Sequence, residues 1–156
     1  MIGYHHGKIT DEKVIGELED VNKKFGLLAP KAVVDKARPE TSALHPFFEW
    51  EDSEAAEAYR REQARNLIRC VHIEMKPGEF APAYVSIPSD RSTEGGGYRS
   101  MKIVLSDKKM SEELLQEALR TLIYFREKYS RLKQLSSIMI AIDKLPLIKK
   151  MKKKEG

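Results

Sequence analysis

The chain of 156 residues contains little cysteine and no long apolar run. Its single cysteine, Cys70, cannot form an intramolecular disulfide, which excludes a disulfide-stabilised scaffold and favours a reducing, cytoplasmic compartment. No run reaches the roughly 18 apolar residues that a membrane span requires, so we expect no transmembrane helix and no membrane partner. Residues 1–7 lack the basic start and apolar stretch of a secretion signal, which also favours a cytoplasmic location.

The sequence also lacks the residue spacings that metal and catalytic sites require. His5 and His6 are adjacent rather than one helical turn apart, and no cysteine cluster complements them or the other histidines, His45 and His72. The glycine run at 95–97 lacks the lysine and hydroxyl residue of a phosphate-cradling loop, and no nucleophile-elbow context surrounds any serine. We therefore expect no catalytic residue, metal or cofactor, and interpret the glycine run as a flexible connector.

The net charge is slightly positive and unevenly distributed. Lys and Arg number 28 against 24 Asp and Glu, which gives a net charge of +4. The first predicted helix is acidic, whereas the C-terminal residues 149–154 are lysine apart from one methionine. This asymmetry favours a polyanionic partner. The alternative is a solvated tail that keeps the protein soluble.

Two helices are predicted near the N-terminus, the first running to about Phe25 and the second shorter. Thr10 or Asp11 caps the first, whose apolar residues recur at helical spacing, and Gly26 ends it as a left-handed residue. Pro30 suits the first position of the second helix, which runs to about Ala37.

A third helix is predicted after an extended loop, with Asp52 or Ser53 as its cap. Its apolar face comprises Ala56, Tyr59, Ala64, Leu67, Ile68 and Val71.

Strand patterns follow the third helix. Residues 71–75 alternate, 76–79 have turn chemistry and 83–87 are rich in strand-forming residues, which together predict a hairpin. Residues 98–105 are predicted to supply a third strand. A long helical region then begins at a serine cap, Ser111, and carries a broad apolar face.

These elements predict an α+β fold that is dominated by helix. The predicted divisions are a helical head with a basic third helix at 1–75, a small β region with a flexible loop at 76–105, C-terminal helices at 106–148 with a break at Ser136–Ser137, and a lysine-rich tail at 149–156. The C-terminal helices carry more apolar surface than a small head covers, so self-association is expected. The alternative is that they pack on the hairpin within the same chain.

Basic residues on the third helix are the strongest functional signal. Arg61, Arg65 and Arg69 lie four residues apart and therefore follow one side of the helix. Arginine binds phosphate and guanine, and glutamine can bind adenine. The predicted nucleic-acid contacts are Arg60, Arg61, Gln63, Arg65 and Arg69, assisted by Lys149, Lys150, Lys152 and Lys153 of the tail.

Two other interpretations of this helix stay open. Salt bridges from Glu57 to Arg61, and from Glu62 to nearby arginines, are typical of an ordinary solvated helix face. In a helix-turn-helix arrangement the first two helices are instead the tight pair, and the second offers only Lys31 and Lys36 as cations.

An aromatic cluster precedes the third helix. We name Phe47, Phe48 and Trp50 the aromatic plug, and predict that with Tyr59 they form a structural core between short helices. The alternative is that exposed plug rings stack on nucleobases.

Three segments carry a family resemblance: Leu-Leu-Ala-Pro-Lys-Ala-Val-Val-Asp-Lys-Ala-Arg-Pro, Leu-His-Pro-Phe-Phe-Glu-Trp-Glu-Asp, and Tyr-Arg-Arg-Glu-Gln-Ala-Arg-Asn-Leu-Ile-Arg. With Ala-Leu-Arg-Thr-Leu-Ile-Tyr-Phe-Arg-Glu-Lys-Tyr nearer the C-terminus, the chain resembles a family of small uncharacterised proteins encoded in bacteriophages and prophages. The resemblance implies a phage or prophage origin and a bacterial host cytoplasm, and it transfers no catalytic residue.

Two functional hypotheses follow. The first is a non-enzymatic, phage-type DNA-binding protein that uses the arginines of its third helix. The second is a phage structural or assembly protein, or an adaptor to a phage or host protein, that self-associates through its C-terminal helices.

Overall fold

The computed structural model describes residues 8–50, 56–92 and 95–148. The chain divides into two compact units, residues 1–108 and 109–156. The predicted lysine contacts Lys149, Lys150, Lys152 and Lys153 lie outside the described residues, as does the predicted cap of the third helix at Asp52 or Ser53.

Two helices begin the first unit, as predicted. Helix α1 spans Glu12–Phe25, and the Asp11 carboxylate caps it by accepting hydrogen bonds from the amides of Lys13 and Val14, at 2.9 and 3.1 Å. Gly26 ends α1 in the left-handed conformation with φ 67°. Helix α2 spans Pro30–Ala37, with proline at its first position.

The third helix, α3, spans Ala56–Cys70 among the described residues. Its buried side consists of Ala56, Arg60, Ala64, Leu67 and Ile68, spaced at three or four residues. Tyr59 lies off this side and is 41% exposed, so its assignment to the structural core is wrong.

The β region differs from the prediction in its pairing. Strand β1, His72–Lys76, pairs antiparallel with β2, Glu79–Pro82, across a tight turn at Pro77–Gly78. Because Gly78 adopts φ 79°, the chain reverses within two residues, and the returning strand begins earlier than the predicted residues 83–87.

Two further short strands form a separate pair. Strand β3, Tyr84–Val85, pairs antiparallel with β4, Arg99–Ser100. Between them lies a short helix, α4, Pro88–Arg91. The predicted third strand at 98–105 is therefore mostly wrong, because helix α5 occupies Met101–Ser106. Apolar residues at 103–105 are consecutive rather than alternating, and only Val104 of them is buried.

One hydrophobic core joins the helices and the β region of the first unit. Its buried members are Val14, Leu18, Val21, Leu28, Val33, Val34, Ala37, Leu44, Phe48, Ala64, Leu67, Ile68, Val71, Ala83 and Tyr84. Phe47, Trp50 and Tyr98 pack against this core while remaining partly exposed. The predicted head and the predicted β region thus share a core.

The second unit is helical. Helix α6 spans Lys108–Tyr129 and α7 spans Ser136–Lys144, so the break lies before Ser136 rather than at the predicted Ser136–Ser137. Its small core comprises Leu119, Ile142 and Ile148, against which Leu122, Ile123 and Phe125 pack. The Arg126 guanidinium holds α7 through Asp143, with Nη2 donating to Oδ2 at 2.8 Å.

The described elements confirm the prediction of a predominantly helical α+β protein. None of the described helices is both long enough and apolar enough to cross a membrane.

Candidate nucleic-acid interface

The plug lies on one side of α3 and is fastened to it by hydrogen bonds. Phe48 is 1% exposed, and the Trp50 indole donates to the His45 carbonyl at 3.1 Å while its ring stacks on the His45 ring. The Gln63 side chain accepts a hydrogen bond from the Glu49 amide at 3.1 Å. The plug is therefore scaffold, and its rings are not laid out as an exposed stacking surface.

Arg60 completes this attachment. It is 4% exposed, its Nε donates to the Glu49 carbonyl at 2.8 Å, and its guanidinium lies 5.2 Å from the centre of the Trp50 ring. Its Nη1 also lies 3.4 Å from Glu57. The prediction that Arg60 contacts nucleic acid is wrong, because burial and these partners remove it from the surface. The Gln63 side-chain oxygen is occupied by the Glu49 amide, and the nucleic-acid contact of Gln63 stays a prediction.

The predicted salt bridges on α3 are partly confirmed. Glu62 pairs with Arg65 and with Arg69, at 3.2 Å in both cases. Glu57 does not pair with Arg61, since it binds Arg60 and also Arg38, whose Nη2 lies 3.1 Å from it. Arg61 is exposed and forms no ion pair with a described residue.

Arg65 and Arg69 line an open groove in the first unit, with a volume of about 830 Å³. A third arginine, Arg91 at the end of α4, lines the same groove. Among the described residues that line it, three are arginine and none is acidic. We name this concavity the basic groove. Other residues that line it are Tyr84, Tyr98 and the glycines 95–97.

Gly95, Gly96 and Gly97 form one wall of the groove, and the two residues that follow them are held by hydrogen bonds. Arg99 donates from Nε and Nη2 to the two oxygens of Asp90, at 2.8 and 2.7 Å, and Asp90 is 3% exposed. Tyr98 exchanges backbone hydrogen bonds with Leu28, at 2.8 and 3.1 Å. The C-terminal end of the glycine run is therefore joined to residues that are fixed to α4 and to the core, and the interpretation of 95–97 as a flexible connector stays a prediction.

The glycines suit this wall for different reasons. Gly95 and Gly96 have φ 85° and 62°, the left-handed region that side chains disfavour. Gly97 is buried, and a Cβ there would lie 2.5 Å from Leu27 Cγ. Only glycine allows this close approach without displacement of the Leu27 side chain.

Tyr84 forms the inner surface of the groove. It is 6% exposed, and burial raises the pKa of its phenol to about 12, with a smaller contribution from the negative charge of Glu19. The phenol therefore stays protonated well above physiological pH.

Sequence reasoning missed Arg91 and Tyr98 as members of the site. Both are far from α3 in sequence, and they meet Arg65 and Arg69 only because β3 and β4 pair and Tyr98 binds Leu28. In the described part of the chain, no three His, Cys, Asp or Glu side chains are grouped as a metal ion requires.

Comparisons with protein-family models, with curated proteins and with solved structures found no match.

Proposed function

We propose that the protein is a non-enzymatic DNA-binding protein of phage or prophage type, and that Arg65 and Arg69 contact DNA phosphates. The observation that carries this proposal is that Arg65 and Arg69, four residues apart on α3, both line the basic groove, whose described lining contains no acidic residue. Clustered arginines on one surface are the electrostatic basis of nucleic-acid binding.

The ion pairs that Arg65 and Arg69 form with Glu62 can be exchanged for contacts with a ligand. Side-chain exposure is 36% for Arg65, 53% for Arg69 and 48% for Glu62, so their ion pairs face water. Exposed ion pairs contribute only about 0–1 kcal/mol to stability. A phosphate can therefore replace Glu62 as the partner of either arginine at small cost, since phosphate and carboxylate both accept charge-assisted hydrogen bonds from a guanidinium group.

Arg61 and the lysine tail extend the proposed contact set. Arg61 is exposed on the next turn of α3 toward its N-terminus. The tail residues Lys149, Lys150, Lys152 and Lys153 are proposed to add sequence-independent attraction to the phosphate backbone.

The test is binding of a labelled duplex by the full chain at several salt concentrations. The Arg65→Ala/Arg69→Ala double variant is expected to weaken binding by at least tenfold at low salt. It should also reduce the slope of log affinity against log salt by about 0.9 for each phosphate that the variant no longer neutralises.

The matched control is Lys13→Ala/Lys24→Ala, which removes the same charge from exposed positions on α1 outside the groove. Its salt slope should stay nearer to that of the parent protein than the slope of the arginine variant. Equal losses in the two variants mean that only net charge matters, and undetectable duplex binding at low salt contradicts the proposal.

A second candidate function is self-association in a structural or adaptor role. Several apolar side chains of the second unit are exposed, including Tyr124 at 62%, Ile140 at 55% and Leu132 at 48%. Exposed apolar surface of this kind is typical of protein contacts. Molar mass measured in solution over a concentration series tests it: a monomer at every concentration contradicts self-association.

A further inference from the structure

The basic groove is concave, and this shape limits what enters it. Its volume of about 830 Å³ lies within the range of about 300–1,000 Å³ that is common for small-ligand sites. Bases of a duplex stay stacked inside the helix, whereas unpaired bases can turn outward into a protein recess. The concavity therefore fits one unpaired nucleotide better than a stretch of duplex.

Three arginines line the groove, and a guanidinium group is a strong hydrogen-bond donor to phosphate. Arg65 and Arg69 come from α3, and Arg91 comes from the end of α4, where its Nη2 donates to the Ser86 carbonyl at 2.6 Å. The wall at Gly95 and Gly96 has open space where side chains would stand, so a ligand can approach the backbone closely.

Tyr98, which lines the same groove, provides an aromatic ring on which a base can stack. Tyr98 is partly exposed and packs against the core, and its backbone is fixed by the two hydrogen bonds to Leu28. The neighbouring Arg99–Asp90 pair holds the chain directly after it. An aromatic ring that is already positioned can stack on a base with little loss of conformational freedom.

We infer that the basic groove binds one unpaired nucleotide, with its phosphate against Arg65, Arg69 and Arg91 and its base stacked on Tyr98. This inference rests on the proposed DNA-binding function and assigns it a ligand class, single-stranded DNA or a free nucleotide. Arg91 and Tyr98 are specific to this mode, because neither lies on α3.

The experiment compares a labelled ten-nucleotide oligothymidylate with a labelled duplex, using the full chain. Arg91→Ala is expected to weaken binding of the single strand about fivefold to tenfold and to leave duplex binding within twofold. Tyr98→Leu, which removes the stacking ring, should weaken single-strand binding about tenfold. Tyr98→Phe keeps the ring and should remain within twofold of the parent protein.

Competition identifies the source of the nucleotide. Displacement of the oligothymidylate by thymidine monophosphate, at concentrations where inorganic phosphate has no effect, supports the inference with a free nucleotide as ligand. Failure of both competitors, combined with the expected variant effects, supports it with the single strand as ligand.

Thermal unfolding shows whether Tyr98→Leu is folded. If Tyr98→Leu does not fold, Arg91→Ala, which changes an exposed residue, tests the inference on its own. Unchanged single-strand binding in Arg91→Ala overturns the inference, as does an equal loss for single strand and duplex. If duplex binding still depends on Arg65 and Arg69 in that case, the proposed function is supported although the inference about the nucleotide is overturned. No binding of either probe by the parent protein overturns both.

Discussion

Helix α3 presents arginine on two sides with opposite consequences. On the plug side, Arg60 is buried, donates to the Glu49 carbonyl and covers the Trp50 ring. On the groove side, Arg65 and Arg69 are partly exposed and pair with Glu62 through water-facing contacts. Arg61 follows Arg60 directly in sequence and is exposed.

The difference lies in the partners rather than in the residue type. A backbone carbonyl and a packed indole are fixed parts of the fold, so the arginine that satisfies them cannot serve a ligand. A glutamate on the same helix face can be exchanged for a phosphate. The partner of each arginine on an arginine-rich helix therefore has to be identified before that arginine is assigned to ligand binding.

Replacement of Arg60 by alanine should have the largest effect on stability. The change removes a buried side chain and the donor to the Glu49 carbonyl, and it uncovers one face of Trp50. We expect a loss of about 2–4 kcal/mol in the free energy of unfolding. Chemical denaturation measures this loss, and Trp50, the only tryptophan, provides a local fluorescence signal.

The adjacent Arg61→Ala variant is the matched control, and an exposed change of this kind should stay within about 0.5 kcal/mol. Similar losses for the two variants would contradict the division of α3 into a structural and an exposed side.

The sequence predicted α1 and α2 well because their signals are local, whereas α4 and α5 were not predicted. Asp11, Gly26 and Pro30 have capping roles that depend on neighbouring residues alone, and all three take the predicted positions. The burial of Arg60 could not be predicted from such local signals. Its position three or four residues from other buried residues of α3 was a signal, but burial of a charged residue contradicts composition rules unless its partners are known.

Only some of the residues that line the basic groove could be predicted from the sequence. Arg65 and Arg69 follow from helical spacing, whereas Arg91 and Tyr98 join them through pairing between segments distant in sequence. The predicted strand at 98–105 had the wrong extent, because the chain leaves β4 for α5 where the Met101 amide donates to the Ala83 carbonyl at 2.8 Å. Such a junction depends on tertiary contacts that single-sequence patterns do not contain.

The pH dependence of stability at Tyr84 tests whether its phenol is buried in the core. Its phenol has a pKa of about 12 in the folded protein, against 10.0 ordinarily, so folding favours the protonated form. Its contribution to stability is therefore complete below about pH 10 and is lost as the pH rises toward 12, by about 2–3 kcal/mol at most.

The measured quantity is the difference in unfolding free energy between the parent protein and Tyr84→Phe, because contributions common to both proteins cancel in it. This difference should move steadily in favour of the variant between about pH 9 and pH 12, as expected from linkage. A difference that does not depend on pH would show that the phenol is open to water.

Gly97 tests the close packing of the groove wall. In Gly97→Ala the new methyl group would come within 2.5 Å of Leu27, so the side chain or the wall must move, at a cost of about 1–2 kcal/mol. Gly16→Ala is the control, since its methyl group meets nothing within 4 Å and lies inside helix α1. The free energy of unfolding of Gly16→Ala should rise by roughly 0.5–1 kcal/mol, because alanine has the higher helix propensity. Thermal unfolding should thus show shifts of opposite sign, and a shared sign would contradict the packing at Gly97.

The smallest change in stability is expected for Arg65→Ala/Arg69→Ala. Both side chains are partly exposed, and Glu62, their shared partner, is itself 48% exposed, so its carboxylate can return to water once they are gone. We expect the free energy of unfolding to change by about 0.5 kcal/mol or less. Weakened DNA binding in this variant, with unfolding unchanged, would separate the groove side of α3 from the plug side. A loss of stability comparable to that of Arg60→Ala would instead mean that these arginines are committed to the fold, and the reason to assign them to a ligand would disappear.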